Sequence, residues 1–207
     1  MNANQVFTIL QTHVPASTLD YCFTLWRASP FELKITKSRQ TKVGDFTSRR
    51  TKRHPRITLN IDLNAFLFLV TYVHEVAHLR VYLVFGARED PHGERWKTTF
   101  TDLMLPLLWE SVFPEEILHA LRRHMINPKA SSFADTDLTL AFRKFDKNAN
   151  QMVLSQVPDG SIFRLQGRYF KKGKLRRTRV LCRELQSKRD YLVPADALVS
   201  DVQLSLL

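Results

Sequence analysis

One uninterrupted run limits the folds open to this chain more than any other feature. Residues 60–85 read NIDLNAFLFLVTYVHEVAHLRVYLVF, with no glycine or proline inside, Asn or Asp near the start and Gly86 just past the end. Those are the start and stop signals of one long helix. From Ala65 to Val73 the run is apolar nearly all round, so the helix should cross a core rather than skirt a surface. It nevertheless carries His74, Glu75 and His78, in a stretch too apolar to tolerate unpaired charge.

A helix advances 3.6 residues per turn, so His74 and His78 at i and i+4 point from one face, where two neutral imidazoles can hold one zinc ion. Glu75 lies one step round the helix, placed to take a proton from the water that such a site activates. With 7 His and 8 Glu in 207 residues, chance supplies roughly 0.009 matches to H-E-x-x-H. His92, fourteen positions after His78, would be the third protein ligand and leave the fourth position to water, the arrangement of catalytic rather than structural zinc. Between Gly86 and His92 the chain reads AREDP, a polar turn. A second helix is then predicted at HGERWKTTFTDLMLPLLW, with Trp96, Phe100, Leu103 and Leu107 on one apolar face. Glu89, Asp90 and Glu94 are oxygen donors in reach by sequence, but imidazole suits zinc better than solvent-facing carboxylates. The pattern predicts a zinc-dependent hydrolase, a protease, with one Zn2+ per chain.

The length suits one moderate domain plus an appendage. No membrane span is predicted, because His74 and Glu75 break the longest apolar run before it reaches ~18–20 residues. The opening MNANQVFTILQTHVP lacks the charged start and cleavage site of a signal peptide. Cys22 and Cys182 are the only cysteines, which argues against a disulfide framework or four-cysteine zinc site and fits a reducing cytoplasm. The net charge of +11 is gathered into two blocks. Residues 33–56 carry Lys34, Lys37, Arg39, Lys42, Arg49, Arg50, Lys52, Arg53 and Arg56 against Asp45. Residues 160–190 carry eleven Lys and Arg against Glu184 and Asp190. Two basic blocks flanking a mildly acidic body are the mark of a polyanion-binding surface, or of two solvated faces.

Helices are expected over about 4–13 and 17–27, then strands at FELKITK (31–37) and RITLNI (56–61). The stretch between them is a basic middle strand or loop, with Gly44 marking a turn or bulge. Three short antiparallel strands would lay an edge beside the zinc helix, where an extended peptide could add. A helix should begin at Pro114-Glu115-Glu116, carrying solvated His119 and His124, and a short one should cover 135–145. Past about Lys147, β-rich runs alternate with Asp159-Gly160, Gly167 and Lys172-Gly173-Lys174, which read as hairpin turns. The fold class is therefore α+β, with residues 1–146 as the metal-binding domain with a helical extension, a link at 146–150, and residues 150–207 as a basic β-rich module. In that module Phe163, Tyr169 and Phe170 interleave with Arg164, Arg168, Lys171, Lys172, Lys174, Arg176, Arg177 and Arg179. Such a surface suits nucleic acid, single-stranded DNA included. The aromatics could equally form the module's own core.

The ordered set of a basic strand pair, ITLN, a helix with HEVAH and then HGERWK resembles the SprT-like metalloprotease domain, the family that includes Spartan. The resemblance covers roughly residues 5–110. It implies a zincin-like fold, with His74, His78 and His92 as zinc ligands and Glu75 as general base. It also implies cleavage of proteins, in one branch proteins crosslinked to DNA, with DNA promoting the cleavage. Many members carry a four-cysteine zinc ribbon after the protease domain, which this chain lacks; the basic module stands in its place. Two rivals are a nucleic-acid-binding or transcription-related accessory protein that keeps zinc with little proteolysis, and a structural zinc domain that docks proteins. Glu75 argues against both, since a structural site has no need of an acid there.

Overall fold

Two helices open the chain. In α1 (Ala3–His13) the Asn2 and Gln5 side chains each accept the other's backbone N–H at 2.9 Å, a reciprocal cap that fixes its start. After a single 3-10 turn comes α2 (Leu19–Ala28), which buries Cys22, Leu25 and Trp26. The computed structural model describes residues 1–39, 42–48, 55–129, 135–146 and 152–203. Arg49, Arg50, Lys52 and Arg53 of the first basic block, and most of the expected link at 146–150, lie outside the described residues. The chain divides into two units, Met1–Lys147 and Asn148–Leu207.

The first unit's sheet holds β1 (Glu32–Thr36), β2 (Gly44–Thr47) and β3 (Arg56–Asn60) in the order β1-β3-β2. The expected all-antiparallel arrangement is corrected here. β3 runs parallel to β1, Leu33 beside Ile57, and antiparallel to β2, Phe46 beside Ile57. Composition explains the order. Ile57, Thr58, Leu59 and Asn60 are all buried, so β3 needs a partner on each side. The short, glycine-bearing β2 serves as an edge, where pairing demands are weakest.

The long apolar run forms α3 (Ala65–Phe85), capped by the Asn64 side chain at its start and by Gly86, at φ 81°, past its end. By length and composition alone it could cross a membrane, but two thirds of its apolar window is buried inside the protein. It is a core helix, and Phe68, Tyr72, Val73 and Val76 pack with Leu33, Ile57 and Leu59 of the sheet. α4 (Glu94–Met104), α5 (Glu115–Ile126) and α6 (Thr136–Arg143) follow, adding Trp96, Phe100, Ile117 and Phe142 to the same core. Asn64 also donates to the Phe142 carbonyl (3.0 Å) and to Asp146 (2.7 Å), which ties the start of α3 to the end of α6.

The second unit is a six-stranded antiparallel sheet. β4 (Met152–Val153), β5 (Ile162–Leu165), β6 (Arg168–Arg176), β7 (Arg179–Glu184), β8 (Asp190–Pro194) and β9 (Leu198–Gln203) lie in the order β4-β9-β5-β6-β7-β8. Gln166-Gly167, with both φ positive, closes the β5–β6 hairpin as a two-residue turn requires. Lys172-Gly173-Lys174 is not a turn, contrary to expectation. β6 runs through it with a bulge, and glycine is needed there because a side chain at 173 would meet the Leu181 carbonyl at 2.7 Å. The hairpin instead turns at Arg177-Thr178. Phe163 and Phe170 stack in the module's core, whereas Tyr169 is 42% exposed.

Candidate metal centre

His74 and His78 leave α3 one turn apart. Gly86 stops that helix, and the Asp90-Pro91-His92-Gly93 segment then folds back, the His92 N–H reaching Asp90 Oδ1 at 3.3 Å and the Gly93 N–H the Asp90 carbonyl at 3.1 Å. The Nε2 atoms of the three imidazoles consequently form a triangle with edges of 3.1, 3.2 and 3.4 Å. Tetrahedral ligands about 2.0–2.1 Å from one ion lie roughly 3.3 Å apart, so the triangle is one face of such a site. Three ring nitrogens converging on one point could hold a metal ion. Among the described residues these are the ones that cluster at metal-ligating distance; Glu89, Asp90 and Glu94 do not join them.

All three imidazoles are held below their ordinary pKa, His74 well below and His78 down to about 4, by burial first and by neighbouring imidazoles at His74 and His78. Neutral rings with free lone pairs are what a metal requires. Trp96, fully buried on α4, meets all three rings at centroid distances of 4.6–5.3 Å and stacks on Phe100. It packs the triad from the core side and shuts out water there.

Glu75 is buried beside the triad. Burial, then the charge of Asp45, pushes its carboxyl up to about 8, against the Phe46 N–H and the cations Arg39 and Lys42, which favour the carboxylate. β2 supplies that contact. The Asn60 N–H donates to the Val43 carbonyl, opposite it in the register, so the backbone groups of Gly44 and Phe46 face away from β3. Phe46 donates to Glu75, and Gly44 passes so close that a Cβ there would sit 2.6 Å from both Glu75 Oε1 and Thr71 Cγ2. Gly44 is therefore a site of close approach within a strand, not the turn its composition suggested.

Asn60, the last residue of ITLN, holds this corner. Its side chain accepts from Arg39 Nε at 2.8 Å and donates to the Arg39 and Lys42 carbonyls, both at 3.2 Å. Arg39 also donates to Thr58, while its Nη2 is buried and has no partner among the described residues; its charge acts on Glu75. Gly44, Asn60, Arg39 and Trp96 were not picked out as site residues from the sequence, although Asn60 and Trp96 stand inside the quoted motifs. A glycine in a short basic strand was the one local signal for β2.

The expected nucleic-acid residues are sorted by the second unit's sheet. Lys171, Lys174, Arg176, Arg177 and Arg179 are exposed. Arg168 is exposed but bonds Glu184 at 3.4 Å. Lys172 does not belong on the surface. It points into the module and meets Asp159 at 2.5 Å, because alternation along β6 turns Phe170 and Lys172 inward together. His124 is likewise buried rather than solvated, with Nδ1 3.2 Å from Asp135, while His119 is exposed.

No curated protein and no solved structure matches this chain significantly. A family model does match, that of the SprT-like family, a family associated with metalloprotease activity. The match spans residues 18–127 and so reaches further than the motifs alone, taking in α2, the three-stranded sheet, the histidine triad and α5. With more than half the chain matched, the protein belongs to the SprT-like family.

Proposed function

We propose that this chain is a zinc-dependent endopeptidase acting on extended segments of proteins associated with nucleic acid. The observation that carries the reading is the Nε2 triangle beside a buried glutamate. His74, His78 and His92 would hold the ion, and a set of three imidazoles with an open fourth position suits zinc. Bound zinc would supply a Lewis acid that polarises the scissile carbonyl and acidifies a water. Glu75, buried beside the three imidazoles, would take up a proton at its carboxylate and release it to a leaving amine. Phe46 and Gly44 fix where the carboxylate points. β2 is the sheet edge next to Glu75, and an extended substrate segment could add there as a further strand.

The accessory-protein reading keeps one supporting observation, the close cover of β2 over Glu75. Metal analysis paired with a cleavage assay on a DNA-binding protein, with and without DNA, separates the two. The protease reading expects one zinc per chain, cleavage by the native protein, and a loss of at least ~10²–10⁴-fold in Glu75→Gln with zinc retained. Full zinc with no cleavage under any condition would favour the accessory protein.

A further inference from the structure

Four cations of the second unit are already matched. Arg164 faces Asp201 at 3.5 Å, Arg168 bonds Glu184, Lys172 bonds Asp159, and Arg183 faces Asp190 at 3.9 Å. Among the described residues, Lys171, Lys188 and Arg189 are exposed without an ion pair at separate places, and the other unmatched cations gather at one corner. Lys174, Arg176, Arg177 and Arg179, at the closed end of the β6–β7 hairpin, are all exposed, and none has an ion pair or side-chain hydrogen bond among the described residues.

That corner is also built against local stability. Arg176 stands directly opposite Arg179 in the register, a like-charge cross-strand pair, which is unfavourable. Arg177 between them has φ 55°, the left-handed region that glycine or asparagine adopts far more readily. A sequence selected for the turn alone would place neither residue type there. Local conflicts of this kind accumulate where a surface is kept for a ligand.

We infer that the β6–β7 hairpin tip is a nucleic-acid-binding corner that grips the phosphates of a duplex rather than the bases of a single strand. Single-strand surfaces need exposed aromatic rings among the cations. Here Phe163 and Phe170 are in the core. Tyr169, the exposed one, lies seven residues along β6 from Arg176, roughly 23 Å at strand rise. What remains is charge alone, and charge alone favours the denser polyanion, a duplex with one phosphate per about 1.7 Å of axis. The inference deepens the proposed reading by naming the partner's form and the element that meets it, and it rests on that reading only for what the binding serves.

The test is fluorescence anisotropy of the full chain on a labelled duplex of mixed sequence and on one of its strands, across a salt series. Binding is read without cleavage, so failure of the protease reading would leave it standing, and failure here would leave the metal tests untouched. The native chain should prefer the duplex, with a log–log salt slope of about −0.9 per phosphate neutralised, or roughly −3 to −4 for four contacts. Arg176→Gln with Arg179→Gln should flatten the slope by about two units. Arg177→Gly should weaken duplex binding while raising the module's unfolding temperature, since it relieves the left-handed arginine; a purely structural tip would show the second effect without the first. Arg164→Gln with Arg183→Gln removes the same charge from paired positions and should change the slope by less than one unit. Equal losses in the two double variants, or a single strand bound as tightly as the duplex, would overturn the inference.

Discussion

In residues 1–147 the side chains that carry chemistry are turned inward. Glu75 lies under β2, Trp96 underlies three imidazoles, and Asn60 bonds four groups on three neighbours at once. In residues 148–207 the core is small and apolar, around Phe163, Phe170, Val180 and Val193, and the free charge is held outside it. The first unit can shift pKa values and orient groups because water is kept out of its centre. The second can do neither at its exposed basic corner, where contact with a polyanion through long-range charge is what the chemistry allows. Burial makes the one a candidate for reaction, and exposure makes the other a candidate for address.

The largest effect expected from this difference is that of metal removal. All three tryptophans, Trp26, Trp96 and Trp109, belong to the first unit, so their fluorescence reports that unit's unfolding alone. A metal held by His74, His78 and His92 stabilises the unit by about 4 kcal/mol at a thousandfold excess over its dissociation constant. Chelation should therefore lower the fluorescence-detected transition by many degrees and leave the module's far-UV component in place. A transition that chelator does not move would break the comparison at its centre. Next comes Gly44→Ala. The new Cβ must displace Glu75 and Thr71, at a cost of about 1–3 kcal/mol, and a base misplaced by an ångström loses about 10²-fold in rate. Zinc content should stay at one per chain, because Gly44 touches the base and not the imidazoles. Wild-type cleavage by this variant would mean that β2 does not position Glu75.

How far each unit could be read in advance follows the same division. The HEVAH spacing and the glycine-free run around it fix a helix and two facing imidazoles, because helical geometry depends on neighbours three and four residues away. The strand order was not legible. Whether β3 pairs with β1 in parallel or through a meander depends on burial of Ile57 and Leu59 against α3, a contact between distant segments. Gly44 misled for the same reason, since a strand glycine and a turn glycine look alike until the partner across from it is known. In the module, composition located the basic block but could not say which cations face out. The bulge at Gly173 shifts the register of β6 against β7, and only the folded sheet shows Lys172 paired with Asp159 and Arg176 with no ion pair among the described residues.

Lys172 and Lys171 sharpen that point with a smaller effect. They are adjacent in sequence and identical in chemistry, yet one is 7% exposed and the other is on the surface. Asp159 is itself more than half exposed, so solvent screens the ion pair and most of the loss comes from the buried stem. Lys172→Ala should cost about 2 kcal/mol by urea denaturation of the full chain, followed in the module's component, whereas Lys171→Ala should stay within about 0.5 kcal/mol. Lys172→Met should recover most of the difference. Equal costs for the two alanine variants would put Lys172 back on the outer face.

The smallest effect asks whether burial governs the first unit away from its triad as well. His124 on α5 is 4% exposed and touches Asp135, which caps α6. Burial lowers its pKa, the Asp135 carboxylate raises it, and burial prevails. The unfolded chain then takes up a proton near the ordinary histidine value of about 6.5, while the native imidazole stays neutral to lower pH. The stability this contributes is complete above that value and is lost progressively as pH falls below it. In His124→Asn, which keeps a polar group toward Asp135, the uptake disappears. The slope of stability against pH below about 6.5 should flatten by up to ~1.4 kcal/mol per unit. Both proteins should be compared after chelation, so that the triad, whose shifts carry the same sign, contributes equally to each. Parallel curves would mean that the Asp135 carboxylate offsets burial at this contact and leaves the native His124 to take up its proton where the unfolded chain does.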